Sequence, residues 1–303
     1  MPRNAQLLLL VLMTVLSTQV SAHHGYERME VAGSRLLIDW QGEFSTAQRM
    51  KLKTWLGSVS QTVRLLHGSL PRPKIRIALK PYPARQAVPF ARVLRYEPEG
   101  VLFYVNPEYP FDEFVTDWTA YHELSHLFIP YPGLDDVWFS EGLASYYQNI
   151  LQFRAGLLTR EQTLQRLRGG FDRGRKDTKY SELTLGELTP VMREKHTFMR
   201  VYWSGALYFL EADIALRKLT TTPMTLDDVL REFGACCLME DREWTGLEIT
   251  EQFDQIIGTP LFVPLYKAYE QTNAIPNYLL LLESPEMDAI LGANFQTGTL
   301  TVQ

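Results

Sequence analysis

Thr119-Ala120-Tyr121-His122-Glu123-Leu124-Ser125-His126-Leu127-Phe128 is the stretch on which the reading of this chain turns. On a helix, positions i and i+4 stand one turn apart on the same face. The imidazoles of His122 and His126 can therefore reach one cation, while Glu123, about 100° round, stands beside a water held there. With 6 histidines in 303 residues, chance would produce this spacing with an intervening Glu on the order of 0.01 times. The simpler reading is two histidines packed on an apolar face. Against it stand the uncharged flanks Ala120, Leu124, Leu127 and Phe128, which suit a buried metal helix. The chain has only 2 cysteines, Cys236 and Cys237, and they are adjacent. That excludes a disulfide framework and any multi-thiolate site, so a metal must be held by His and carboxylates.

A hydrolytic zinc site takes three protein ligands and keeps the fourth position for water. The third candidate is Glu141, in Asp136-Val137-Trp138-Phe139-Ser140-Glu141-Gly142-Leu143-Ala144-Ser145-Tyr146-Tyr147. Pro130-Tyr131-Pro132-Gly133 lies between and can turn the chain so that a second helix returns against the first. Gly142, Ala144 and Ser145 are small enough to let it approach. Taken alone, Glu141 reads as a solvent-facing residue of an amphipathic helix.

Together these segments resemble a family. HExxH followed by W-x-x-E-G-x-A/T-x-Y-Y is similar to the signature of the gluzincins, and the run from Val137 to Gln148 looks most like the glycyl aminopeptidase and peptidase MA-like group. The aminopeptidase N and leukotriene hydrolase group is a more distant likeness. Tyr202-Trp203-Ser204-Gly205-Ala206-Leu207 resembles the Y-x-K-G-A-L helix of those enzymes, with Ser204 where they carry Lys. No G-x-M-E-N segment precedes His122, and Gly100 to Asn106 occupies that region. The resemblance covers roughly residues 100 to 275. It implies an α+β, zincin-like catalytic domain: a mixed β-sheet lobe with the HExxH helix, followed by a mostly helical lobe. It also implies that the Tyr202 phenol stabilises an oxyanion.

The chemistry of the residues agrees. One Zn2+ ion held by His122, His126 and Glu141 would lower the pKa of a water toward roughly 7 and polarise a carbonyl, and Glu123 would take the water's proton. The expected activity is peptide-bond hydrolysis by a zinc metallopeptidase, with a peptide or protein as substrate. The alternatives are a non-catalytic exported metal-binding protein and a zinc hydrolase of non-peptide amides. A formal charge of −5 lacks the positive field that draws phosphate backbones, which argues against nucleic acid as a partner.

Working outward, residues 1–22 read as a signal peptide: Arg3 precedes the apolar run Leu7 to Leu16, and Val20-Ser21-Ala22 presents small residues for cleavage. A secreted or periplasmic location follows, with no stable membrane insertion after the signal is removed and the oligomeric state left open. His23 and His24 would begin the mature chain. Residues 23–110 read as a mixed α/β amino-terminal lobe, 111–275 as a zinc-binding and helical lobe, and 276–303 as a carboxyl-terminal tail. In the first lobe strands are expected at 35–44, 74–80, 88–96 and 100–105 and a helix from Ser45 to Leu66. Gly100–Val105 is expected to be the edge strand on which an extended peptide pairs.

Helices are expected at 112–129, 136–153, 160–168, 197–218, 225–234, 248–256 and 260–270. Arg166 to Lys179, rich in Gly and charge, reads as an exposed loop. Asp135 or Asp136 is expected to cap the next helix, with orientation of a His ligand as the other use. His196 is a candidate to line the cleft, and Cys236 and Cys237 are read as buried thiols.

Overall fold

Ala32 and Gly33, at φ 52° and 78°, turn the chain between β1 (Glu27–Val31) and β2 (Ser34–Trp40) in a computed structural model that describes residues 25–219 and 224–292. The signal segment 1–22, His23, His24 and residues 293–303 lie outside the described residues. β3 (Lys74–Pro81), β4 (Phe90–Leu94) and β5 (Gly100–Val105) complete a five-stranded sheet of order β1-β2-β3-β5-β4. The β2/β3 and β3/β5 pairs are parallel, whereas β1/β2 and β4/β5 are antiparallel.

This order corrects one expectation. Gly100–Val105 is an interior strand, paired to β3 on one side and to β4 on the other, and the strand bordering the cleft at the sheet edge is β4. β1 escaped the sequence reading because Glu27-Arg28-Met29-Glu30-Val31 alternates with too few apolar residues to stand out.

Helix α1 (Thr46–Val63) covers one face of the sheet. Its start is fixed as the sequence suggested, since Ser45 Oγ accepts from Gln48 N at 3.2 Å and Gln48 Oε1 accepts from Ser45 N at 2.8 Å. Leu52, Trp55, Leu56 and Val59 face Ile75, Ile77, Leu79, Val101 and Phe103, all buried. Each such side chain stabilises the fold by roughly 1.5–3 kcal/mol on burial. The Trp55 ring lies 5.3 Å from those of both Phe103 and Phe114, which ties the sheet to the helical part.

His67 follows α1, with its ring 4.4 Å from Phe128. Burial, helped by the charge of Arg231, lowers its pKa from 6.5 to about 4. A histidine held neutral in the folded state takes up a proton more readily when unfolded, so its stabilising effect is present above about pH 6.5 and is lost as pH falls toward 4. Replacing His67 by Leu should therefore remove about 2 kcal/mol of the stability loss between about pH 7.5 and 4.5, read from urea unfolding at both pH values. An unchanged pH slope in the variant would show that His67 is not the group responsible.

From Phe111 the chain is helical. The single helix expected at 112–129 is interrupted: α2 (Phe111–Thr116) ends, Asp117 leaves the helical region, and its carboxylate accepts from Thr119 N at 2.8 Å to restart the chain as α3 (Thr119–Ser125). A 3-10 turn over His126–Phe128 follows. α4 (Val137–Arg154) and α5 (Arg160–Lys176) come next, and the expected loop from Arg166 is instead the second half of α5. Its glycines are contact residues rather than breakers. A Cβ on Gly170 would stand 2.1 Å from the Trp203 ring, and one on Gly174 would stand 2.2 Å from Ile275.

α6 (Leu185–Leu188), α7 (Met192–Lys195), α8 (Phe198–Lys218), α9 (Leu226–Cys236), α10 (Gly246–Ile257), α11 (Phe262–Glu270), α12 (Leu279–Leu282) and α13 (Pro285–Gly292) complete the described chain. α8 and α9 are pinned to α4 by buried polar groups: Tyr146 donates to Asp213 at 2.7 Å, and Asp227 pairs with Arg154 at 2.7 Å and accepts from Tyr147 at 2.7 Å. Cys236 and Cys237 are joined as a disulfide between neighbours at the end of α9, with Cys236 exposed, so they are not the buried thiols expected. No helix among the described residues is long and apolar enough to cross a membrane.

Candidate metal centre

α3 supplies His122 and Glu123, and His126 follows at its end. The chain then leaves through Pro130–Gly133, with Gly133 at φ 89°, and returns as α4 with Glu141 in its second turn. The two elements bring His122 Nε2 to 3.2 Å and His126 Nε2 to 3.6 Å from Glu141 Oε2. Ligand atoms of all three residues lie within 4.8 Å of one another. Tetrahedral ligands about 2.0–2.1 Å from zinc stand roughly 3.3 Å apart, so the set fits that ion.

The outer nitrogens fix which ring atoms face the centre. His122 Nδ1 is 2.9 Å from Gln148 Oε1, and His126 Nδ1 is 2.9 Å from Ser140 Oγ. Both Nε2 atoms therefore point inward, toward Glu141, where a metal would meet them. The sequence reading missed Gln148 and Ser140, although Gln148 lies seven residues beyond Glu141 and so on the same face of α4. Changing Gln148 to Ala should weaken zinc binding about 10- to 100-fold in competition with a chelating dye. Unaltered affinity would mean that the His122 ring is oriented without it.

Asp136 serves neither use expected of it. It stands at the start of α4 without a side-chain capping bond; its carboxylate accepts from Gly246 N at 2.7 Å and from the Tyr266 hydroxyl, and so ties α10 and α11 to α4.

Gly142 does more than allow α4 to approach α3. A Cβ there would stand 2.3 Å from Gly205 C, and one on Gly205 would stand 2.1 Å from Trp138 O. The backbones of α4 and α8 touch at this crossing, which no larger residue would allow, and the contact sets Tyr202 beside the site. The Tyr202 phenol stands close enough to Glu141 to interact with its carboxylate, and its ring stacks near His122 at 6.4 Å. His196 is not among the cleft-lining residues; it is exposed and ends α7 at φ 54°.

Electrostatics separate the roles. Burial raises the Glu123 carboxyl to about 7, against the pull of His122, a value suited to a base that exchanges protons near neutrality. Burial also favours the protonated form of Glu141, but His126 and His122 outweigh it and hold Glu141 below its ordinary value, as a carboxylate. Burial lowers His126 to about 3. It acts downward on His122 too, where the hydrogen bond and charge of Glu141 turn the net shift upward. For Tyr202, burial and then the Glu141 charge push the phenol far above its usual range, so it remains a donor.

The centre opens into a cleft of about 1150 Å³ bounded by Phe90 to Val93 of β4, by α5, and by Trp118, Tyr131 and Met199. The free edge of β4 thus runs along the cavity that holds Glu123 and Glu141.

Residues 132–207 match the family described as M61 glycyl aminopeptidase, a segment that includes Glu141 and Tyr202. Comparison with curated proteins gives no match. Among solved structures, an aminopeptidase N family protein from Idiomarina loihiensis shares the fold at 15% identity and a TM-score of 0.55, covering 85% of this chain and 48% of its own. A two-domain M1 zinc metallopeptidase mutant bound to L-tryptophan is similar at 13% identity and a TM-score of 0.51, covering 84% of this chain and 52% of its own. This chain therefore spans about half the length of these proteins. The likeness to the gluzincins read from the sequence is borne out, as is the α+β, zincin-like fold.

Proposed function

We propose that this chain is an exported zinc-dependent metallopeptidase that hydrolyses peptide bonds. The observation that carries the reading is the convergence of His122, His126 and Glu141 from two elements, with Glu123 beside them at the floor of an open cleft. A zinc ion held there would supply Lewis acidity to a water and to the scissile carbonyl.

The chain's own groups account for the rest. The free edge of β4 can hold an extended peptide by main-chain pairing, with its carbonyl over the centre. Glu123 takes the proton of the attacking water and returns it to the leaving amine, a contribution of about 10² to 10⁴ in rate. The Tyr202 phenol, kept protonated, donates to the carbonyl oxygen as negative charge grows on it, worth about 10² to 10³. Export rests on the signal-like segment 1–22, and amino-terminal sequencing of the protein recovered from outside the cytoplasm should begin at His23. The test of the enzymatic reading is hydrolysis of a mixed peptide set by zinc-loaded protein, compared with the Glu123→Gln form. A protein that binds zinc and cleaves nothing would be a metal-binding protein instead.

A further inference from the structure

We infer that the cleft selects peptides that carry carboxylates, a substrate class for the site just described and resting on its reading as a peptidase. Its walls present five guanidinium groups: Arg92 and Arg95 on the β4 side, Arg166 and Arg173 on α5, and Arg193 on α7. The only carboxylates among the lining residues are Glu123 and Glu141. Both are committed to the centre. The protein as a whole is acidic, at a formal −5, so this concentration of positive charge is local to the cavity. A concave wall of one sign focuses its field on whatever enters.

These arginines are not neutralised by the fold. Arg166 donates to the uncharged Gln152 Oε1 at 2.8 Å, and Arg173 lies over the Trp203 ring at 5.1 Å. Among the described residues, no carboxylate lies within ion-pair distance of Arg92, Arg166, Arg173 or Arg193. Arg95 has one at the limit, Glu99 Oε1 at 3.7 Å, but Glu99 is already held by Arg72 at 2.5 Å, so two guanidiniums share a single carboxylate. Arg95 Nη1 is buried with no hydrogen-bond partner.

Spacing on α5 suggests how a substrate would use this wall. Arg166 and Arg173 are seven residues apart, so they lie on one face about 10 Å apart along the helix axis. On an extended peptide the side chains that face one way recur at every second residue, about 7 Å apart. Gly169 lies between the two arginines on the same face, and the Arg173 guanidinium leans back over it toward Arg166, with Nη1 3.5 Å from where a Cβ would stand. A chain with acidic residues two apart turns both toward this wall, while lysines at those positions meet like charge.

The test uses purified Glu123→Gln protein, which cannot consume the probe, and dye-labelled peptides of about ten residues. One peptide has two Glu two residues apart, and two otherwise identical ones carry Gln or Lys there; each is made with a free and with an amidated carboxyl terminus. An exposed ion pair multiplies affinity by no more than about fivefold. Two or three together should make the Glu peptide bind about tenfold tighter than the Gln peptide at low salt, with the Lys peptide weakest. The gap should close as salt rises to about 0.5 M. Combining Arg166→Gln, Arg173→Gln and Arg193→Gln should bring Glu and Gln peptides within about twofold.

A preference that vanishes on amidation would assign the carboxylate to the peptide terminus, and one that survives assigns it to side chains. Equal binding of the Glu and Gln peptides, or tightest binding of Lys, would overturn the inference. Hydrolysis by the unsubstituted protein is read separately. Selective binding without cleavage would sink the peptidase reading alone, whereas cleavage of all three peptides at equal kcat/KM would sink charge selection alone.

Discussion

Glu123→Gln should keep a full complement of zinc while losing about 10² to 10⁴ in turnover, and Glu141→Ala should lose both metal and turnover. The two carboxylates belong to the same cavity but are placed differently. Glu141 is wedged between both imidazoles at 3.2 and 3.6 Å, where the proposed ligand role requires it. Glu123 is one position beyond His122 on α3, has no such bond to either ring, and is raised toward neutrality mainly by burial. A Gln in its place preserves shape and removes the proton acceptor. Calorimetry adds an independent reading, because a ligand that binds only the folded state raises Tm according to its free concentration over Kd. Zinc should raise the melting temperature of the Glu123→Gln protein as it does that of the unsubstituted chain, and should not move that of Glu141→Ala. Stoichiometric zinc in Glu141→Ala would remove this residue from the ligand set.

What could be read from the sequence followed the range of the forces involved. His122, Glu123 and His126 are fixed by one helical turn, and the HExxH spacing alone places them on one element. Glu141 is 15 residues past His126, and its arrival depends on a turn and a helix crossing; the motif around it carried the expectation that geometry alone did not. α1 was legible to within a few residues because its capping box and apolar period are local. The edge of the sheet was not, since strand order is a property of pairing between distant segments and Gly100–Val105 looks the same in the interior or at the rim.

The glycines of α5 misled for a related reason. Gly169-Gly170 in a charged stretch has the composition of a loop, and only the ring of Trp203, contributed by α8, explains why the absence of a side chain is required there. The arginines of the cleft come from β4, the segment just after it, α5 and α7, and their convergence leaves no local pattern in the sequence.

Tyr202→Phe should lower kcat by about 10² to 10³ while leaving KM, zinc content and Tm near those of the unsubstituted protein. The phenol lies on the cavity side of α8 beside Glu141 and remains protonated, so it is placed to turn its proton toward an oxygen gaining charge at the centre. An interaction made chiefly in the transition state appears in kcat and not in KM. The nearness of the phenol to Glu141 supplies the contrasting outcome. If the hydroxyl acts only by orienting that ligand, its removal should weaken zinc binding by about 10- to 100-fold, and turnover at saturating zinc should return to within a few-fold of normal. If it serves packing alone, the cost should be about 1 kcal/mol of stability from one lost hydrogen bond, with both zinc and kcat retained. Because Gly142 and Gly205 bring the backbones of α4 and α8 into contact, Tyr202 has little freedom to withdraw. The loss in kcat should therefore persist at saturating zinc, and full recovery there would move the phenol from the reacting carbonyl to the support of Glu141.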